Sequence, residues 1–109
     1  MGRERLTMMT RIEVVVSGED APAVQELFTT APATGFTKVS NVSGQGHSGY
    51  QEGRLLFNDM DSLTLLFTVV PDDRADDLID AVGALLEERA GVMFVTAAAV
   101  SRPGYFGQA

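Results

Sequence analysis

Residues 63–100 read LTLLFTVVPDDRADDLIDAVGALLEERAGVMFVTAAAV, and the change of period along this stretch decides the fold. Leu63 to Val70 is a β-branched and apolar run, ended by Pro71, which has no N–H to offer a sheet ladder. Asp72 or Asp73 is placed to cap a helix. Beyond them Ala75, Leu78, Ile79, Val82, Leu85 and Leu86 recur at helical spacing, whereas Asp73, Asp76, Asp77, Asp80, Glu87 and Glu88 fall off that face. Gly91 suits the position just past a helix end, and Val92 to Val100 reads as a strand again. The stretch is therefore strand, helix, strand.

Upstream, the same reading gives a matching half. Arg11 to Ser17 is a β-branched strand closed by Gly18. Asp20 is placed as an N-cap and Pro22 is tolerated in a first turn, so Val24, Leu27, Phe28 and Ala31 form a helix face until Pro32 stops it. Gly35 to Ser43 reads as a second strand. The order βαββαβ is that of an α+β, ferredoxin-like sandwich: a four-stranded antiparallel sheet with two helices on one face and a long loop between strands 2 and 3. Residues 1–9 are expected to be a flexible leader, and residues 10–109 a single domain.

The sheet is expected to be apolar on both faces. In the third strand Leu63, Leu65, Phe67 and Val69 point one way, with Leu66 and Val70 opposite. In the fourth, Val92, Phe94 and Val100 oppose Met93, Val95, Ala97 and Ala99. An antiparallel sheet wetted on one side alternates with polar residues, so the second face is expected to be buried by further copies of the chain. A homo-oligomer follows.

Composition narrows the function classes. The net charge is -7, with eight basic residues scattered along the chain, which argues against nucleic acid as a direct ligand. There is no cysteine, so disulfides, thiolate catalysis and thiolate metal sites are excluded. No apolar run approaches membrane-spanning length, and the first ten residues lack a signal-peptide core, so the expected location is cytoplasmic, without membrane insertion.

The chemistry concentrates between Gly44 and Ser62. Glycines at 44, 46, 49 and 53 permit close backbone approach to a ligand, and His47, Tyr50, Gln51, Glu52 and Arg54 add polar groups. A Gly-x-Gly after a strand can present its amides to a phosphate, although hinge glycines are the plainer reading. His47, the only histidine, can meet an anion or stand as an exposed bystander. A metal site within one subunit is not expected, since His47 with Glu52 or Asp59 lacks ligand spacing, although symmetry in a trimer could gather three copies of His47. Leu55 to Phe57 is an apolar patch suited to docking on a partner or to extending the third strand.

Several segments resemble the PII signalling superfamily. Gly35-Phe-Thr-Lys-Val-Ser-Asn-Val-Ser-Gly-Gln-Gly46 is similar to that family's second strand entering its T-loop. Phe67-Thr-Val-Val-Pro-Asp-Asp73 resembles its third strand turning into the second helix, and Gly91-Val-Met-Phe-Val95 the end of its B-loop. The resemblance implies a regulatory trimer, not an enzyme, whose intersubunit clefts bind a small anionic effector and whose T-loop, about 44–62, docks on a transporter or enzyme. It implies effector contacts at Thr37, Lys38, Gly44, Gln45, Gly46, His47, Val69, Gly91 and Arg102, and partner docking through Tyr50, Arg54, Leu55 and Phe57. Lys38 reads equally as a plain surface charge.

Departures from the nitrogen-regulating type set the expected effector. Val92 stands where that type has a lysine, His47 falls near its T-loop arginine, and Arg102 alone is basic beyond the fourth strand. A triphosphate is normally held by several Arg or Lys with backbone amides. The chain therefore resembles the divergent, carboxysome- or bicarbonate-associated PII-like proteins, with AMP, ADP or cyclic AMP favoured over ATP, or bicarbonate as effector. The alternatives are a small ferredoxin-like enzyme using His47 as base, and a structural or metal-tolerance trimer resembling the CutA type.

Overall fold

The computed structural model describes residues 2–30, 35–43 and 62–106. Their order is a short 3-10 turn (Gly2–Arg5), β1 (Thr7–Ser17), α1 (Ala21–Thr30), β2 (Thr37–Val42), β3 (Leu63–Val70), α2 (Asp72–Leu86), β4 (Gly91–Val100) and a second 3-10 turn (Pro103–Phe106). The four strands form one antiparallel sheet in the order β2-β3-β1-β4, as the ferredoxin-like reading requires.

Alternation along the strands builds the core. Ile12, Val14 and Val16 of β1 and Leu66 and Val70 of β3 share one face and are buried. Ala21, Val24 and Phe28 of α1 and Ala75, Leu78 and Val82 of α2 cover them, three or four residues apart as a helical stripe demands. Both helices therefore sit on one side of the sheet.

The opposite face carries Val15, Leu65, Phe67, Val69, Val39, Val92 and Phe94 by the same alternation. Val39 is 44% exposed and Phe94 50%, so one chain leaves this apolar surface open. Arg11 and Glu13 stand within it as a pair, Nη2 to Oε1 2.6 Å, with the Arg11 guanidinium carbon 3.8 Å from the centre of the Phe67 ring. Pairing and stacking let two charges occupy an otherwise apolar face.

Four boundaries differ from the sequence reading. β1 begins at Thr7, not Arg11, because Thr7, Met8 and Met9 pair with Val100, Ala99 and Ala98, extending the ladder into the expected leader. β2 is shorter than Gly35 to Ser43. Asp72 and Asp73 do not cap α2: Pro71 occupies the N-cap position, and the Asp72 carboxylate instead accepts a hydrogen bond from Thr10 Oγ1 at 2.7 Å. Gly91 is not the residue following the helix; α2 ends at Leu86 with Glu87 in helical conformation, and Gly91 opens β4. A Cβ there would lie 2.7 Å from Val16 Cγ1, so glycine is required by packing against β1. Ala31 and Pro32, expected to end α1, lie outside the described residues.

One feature is not visible in the sequence. Ser40 pairs with Thr64 and Val42 with Leu63, so Asn41 is an extra residue on β2, and it has φ 60°. Asparagine is among the few residues other than glycine that visit the left-handed region readily, which makes it suited to a bulge.

Candidate functional site

Two contacts hold the entry to β2. Thr68 Oγ1, buried in β3, donates to the Gly35 carbonyl at 2.5 Å, and the Phe36 ring packs on Phe28 of α1 with centroids 6.2 Å apart and planes tilted by 52°. β2 begins its pairing with β3 at Thr37↔Phe67, so beyond that pair β3 runs on without β2 beside it. The corner thus opened is a cavity of about 470 Å³ lined by Gly35, Phe36, Thr37, Phe67, Thr68, Val69 and Tyr105. Tyr105 comes from the 3-10 turn after β4, where its N–H donates to the Arg102 carbonyl at 3.0 Å.

The walls combine three aromatic rings and Val69 with exposed polar atoms in about equal measure. Thr37, Thr68 and Tyr105 carry the hydroxyls of the lining residues, of which that of Thr68 is directed to Gly35. The Phe67 ring that lines the cavity also carries Arg11 against it, and that guanidinium is already paired with Glu13. A cavity of this size with a few placed polar groups has the dimensions of a small-molecule site.

The expected site residues divide clearly. Thr37 and Val69 line the cavity. Lys38 does not: it pairs with Leu66, on the helix side of the sheet, and its Nζ lies 3.5 Å from Gln25 Oε1 of α1. Gly91 lies beside Val16, while Val69 lies beside Arg11, which at about 3.3 Å per residue separates them by roughly 15–20 Å along β1 within one chain. Arg102 is exposed, between β4 and the turn that carries Tyr105. Gly44, Gln45, Gly46, His47, Tyr50, Arg54, Leu55 and Phe57 lie outside the described residues. Among the described residues no group of three His, Asp or Glu is placed to hold a metal ion.

Sequence reasoning did not assign Gly35, Phe36, Phe67, Thr68 or Tyr105 to the site. Phe36 and Phe67 read as sheet residues and Tyr105 lies beyond the last expected strand, and only the fold brings the three segments to one corner.

Comparison with known proteins decides the relationship. The model of the family described as nitrogen regulatory protein P-II matches residues 9–105. The chain belongs to the P-II family. Among solved structures, this P-II protein is similar to CPII, a nitrogen regulatory PII-like protein from Thiomonas intermedia K12. Its complex with ADP, AMP and bicarbonate is 32% identical with a TM-score of 0.76, covering 93% of this chain and 95% of that one. CPII bound to ADP, AMP and acetate gives 28% identity and a TM-score of 0.78, covering 93% and 96%. A candidate PII-like signalling protein from Thermus thermophilus, 17% identical with a TM-score of 0.71 and coverage of 93% and 97%, shares the fold. Comparison with the curated proteins gives no match. The P-II protein thus stands with the divergent PII-like branch, as its segments suggested. No helix among its described residues is long and apolar enough to cross a membrane.

Proposed function

We propose that this P-II protein is a regulatory protein, not a catalyst, that binds a small anionic effector and signals through the segment 44–62. The observation that carries the reading is the cavity at the entry to β2. It is large enough for a nucleoside, lined by rings and aliphatic groups, and provided with the Thr37 hydroxyl. The effector class is an adenine nucleotide, with AMP, ADP or cyclic AMP favoured over ATP because no Arg or Lys is among the described lining residues; bicarbonate is the other effector. The similar CPII chains hold ADP, AMP and bicarbonate, which supports this class.

The active assembly in this reading is a homotrimer in the cytoplasm. The open face carrying Val39, Val92 and Phe94 supports association, since apolar sheet surface of this kind is seldom left in water. Association also offers a route for Arg102, Lys38 and Gly91 of neighbouring chains to approach a cavity that they do not reach within one chain. β2 runs from the cavity at Thr37 to Val42, at the edge of the T-loop, so an effector that grips Thr37 acts on the strand from which the loop departs. For signalling, the effector must bind the two loop states with different affinity. The partner is a transporter or an enzyme, docked through Tyr50, Arg54, Leu55 and Phe57.

The test is a thermal-shift series with solution mass, using AMP, ADP, ATP, cyclic AMP and bicarbonate singly and in pairs. A ligand at 100 times its Kd adds about 2.7 kcal/mol, which for a domain of this size raises Tm on the order of 10 °C. A rise with AMP or ADP in a trimer is the expected result. No rise with any of the five removes the effector assignment, and a monomeric mass removes the assembly.

A further inference from the structure

Aromatic residues make up 7% of the chain, yet Phe36, Phe67 and Tyr105 are three of the seven residues around the cavity. Phe36 is held by Phe28 and Phe67 is backed by Arg11, so both are built into the sheet side of the wall. Tyr105 comes from a different segment. It stands on a four-residue turn begun by Pro103, tied by its N–H to Arg102, and remains 76% exposed while lining the cavity.

We infer that Tyr105 is the specificity-determining residue of the cavity, a ring that stacks on the base of a bound nucleotide and selects planar heteroaromatic ligands. The inference rests on the nucleotide reading above and adds to it a residue and a basis for selection. A ring that is 76% exposed offers apolar area to a flat ligand in the cavity at little conformational cost, because tyrosine has two side-chain torsions to fix. The π-face rather than the hydroxyl carries the contact, since every base offers a π-face. Proline at the start of the turn fixes one backbone torsion and pre-organises the ring's approach.

The chain holds two tyrosines and no tryptophan, so Tyr50→Phe leaves Tyr105 as the only tyrosine emitter. The experiment is calorimetric titration of the full chain with AMP, comparing wild type, Tyr105→Phe and Tyr105→Ala, together with tyrosine emission of the Tyr50→Phe protein during the same titration. Tyr105→Phe is expected to bind within about threefold of wild type and Tyr105→Ala about tenfold or more weakly, as loss of one stacked base predicts. AMP is expected to quench Tyr105 emission, and ribose 5-phosphate, which has no base, to leave it unchanged. Equal affinity in wild type and Tyr105→Ala overturns the assignment while leaving the nucleotide reading intact; equal weakening by Phe and Ala overturns stacking in favour of the hydroxyl. A wild-type chain that binds no AMP overturns the nucleotide reading itself. The exposure of Tyr105 makes the Ala variant safe to fold, and an unchanged urea midpoint without ligand verifies it.

Discussion

Gly83 and Gly91, eight positions apart, should respond to the same substitution with opposite signs, for reasons visible in their surroundings. At Gly91 an alanine Cβ would lie 2.7 Å from Val16 Cγ1, 3.1 Å from Leu86 Cδ2 and 3.1 Å from the Val15 carbonyl oxygen. Carbon atoms rest at roughly 3.5–4.0 Å, so about 1 Å of overlap must be relieved. Val16 is fully buried and β-branched, and the Val15 carbonyl belongs to β1, so neither moves freely. Overpacking of this kind costs about 1–3 kcal/mol, which lowers Tm by roughly 5–20 °C for a domain of this length. At Gly83, inside α2, an added Cβ meets nothing within 4 Å, and replacing a helical glycine by alanine contributes about 1 kcal/mol of stability. Urea unfolding followed by far-ultraviolet circular dichroism, at one fixed protein concentration, measures both. Gly91→Ala should lower the midpoint and Gly83→Ala raise it, with the slope unchanged. A Gly91→Ala midpoint at or above that of wild type would refute the packing argument.

Further outcomes follow from the remaining contacts. Thr68→Val removes the hydrogen bond to the Gly35 carbonyl and should cost about 1 kcal/mol in urea unfolding; an unchanged midpoint means that the bond does not hold the cavity's corner. Asn41→Val forces a β-branched residue to φ 60° and should cost about 1–2 kcal/mol, whereas Asn41→Gly should be near neutral; equal loss by both would show that the Asn side chain, not the backbone, matters. Phe94→Glu places a charge in the open apolar face, so solution mass should fall to that of one chain with the circular dichroism retained. An oligomer that survives Phe94→Glu assembles through another surface.

The sequence made β3 legible to the residue, because its β-branched run is bounded by a proline at Pro71 and shares no alternative period. The α2 stripe was legible for the same reason. The start of β1 was not: Thr7, Met8 and Met9 have no strand signature of their own and are strand because β4 lies beside them. Gly91 showed why a glycine after a helix is ambiguous, since its local role and its contact with Val16 predict the same residue. Five of the seven lining residues lay beyond reach for a related cause. Thr37 and Val69 were marked by resemblance, but the cavity exists only where three segments converge, and Tyr105 enters it from the far end of the chain. Lys38 stands apart from the cavity within one chain because the period of two along β2 sends it to the side opposite Thr37.

The pairing of Val42 with Leu63, reinforced by the Gly18 N–H to Ser62 carbonyl bond at 2.9 Å, fixes both ends of the intervening chain on the sheet. Closing a segment between fixed ends depends only weakly on its length, with each doubling costing about 0.6 kcal/mol. Residues between these anchors can therefore be replaced, lengthened or shortened by evolution, or by graft, almost without charge to the stability of the sheet. The sheet is in this sense a socket: it keeps the cavity at one corner constant while the segment between the two anchors is free to be rewritten.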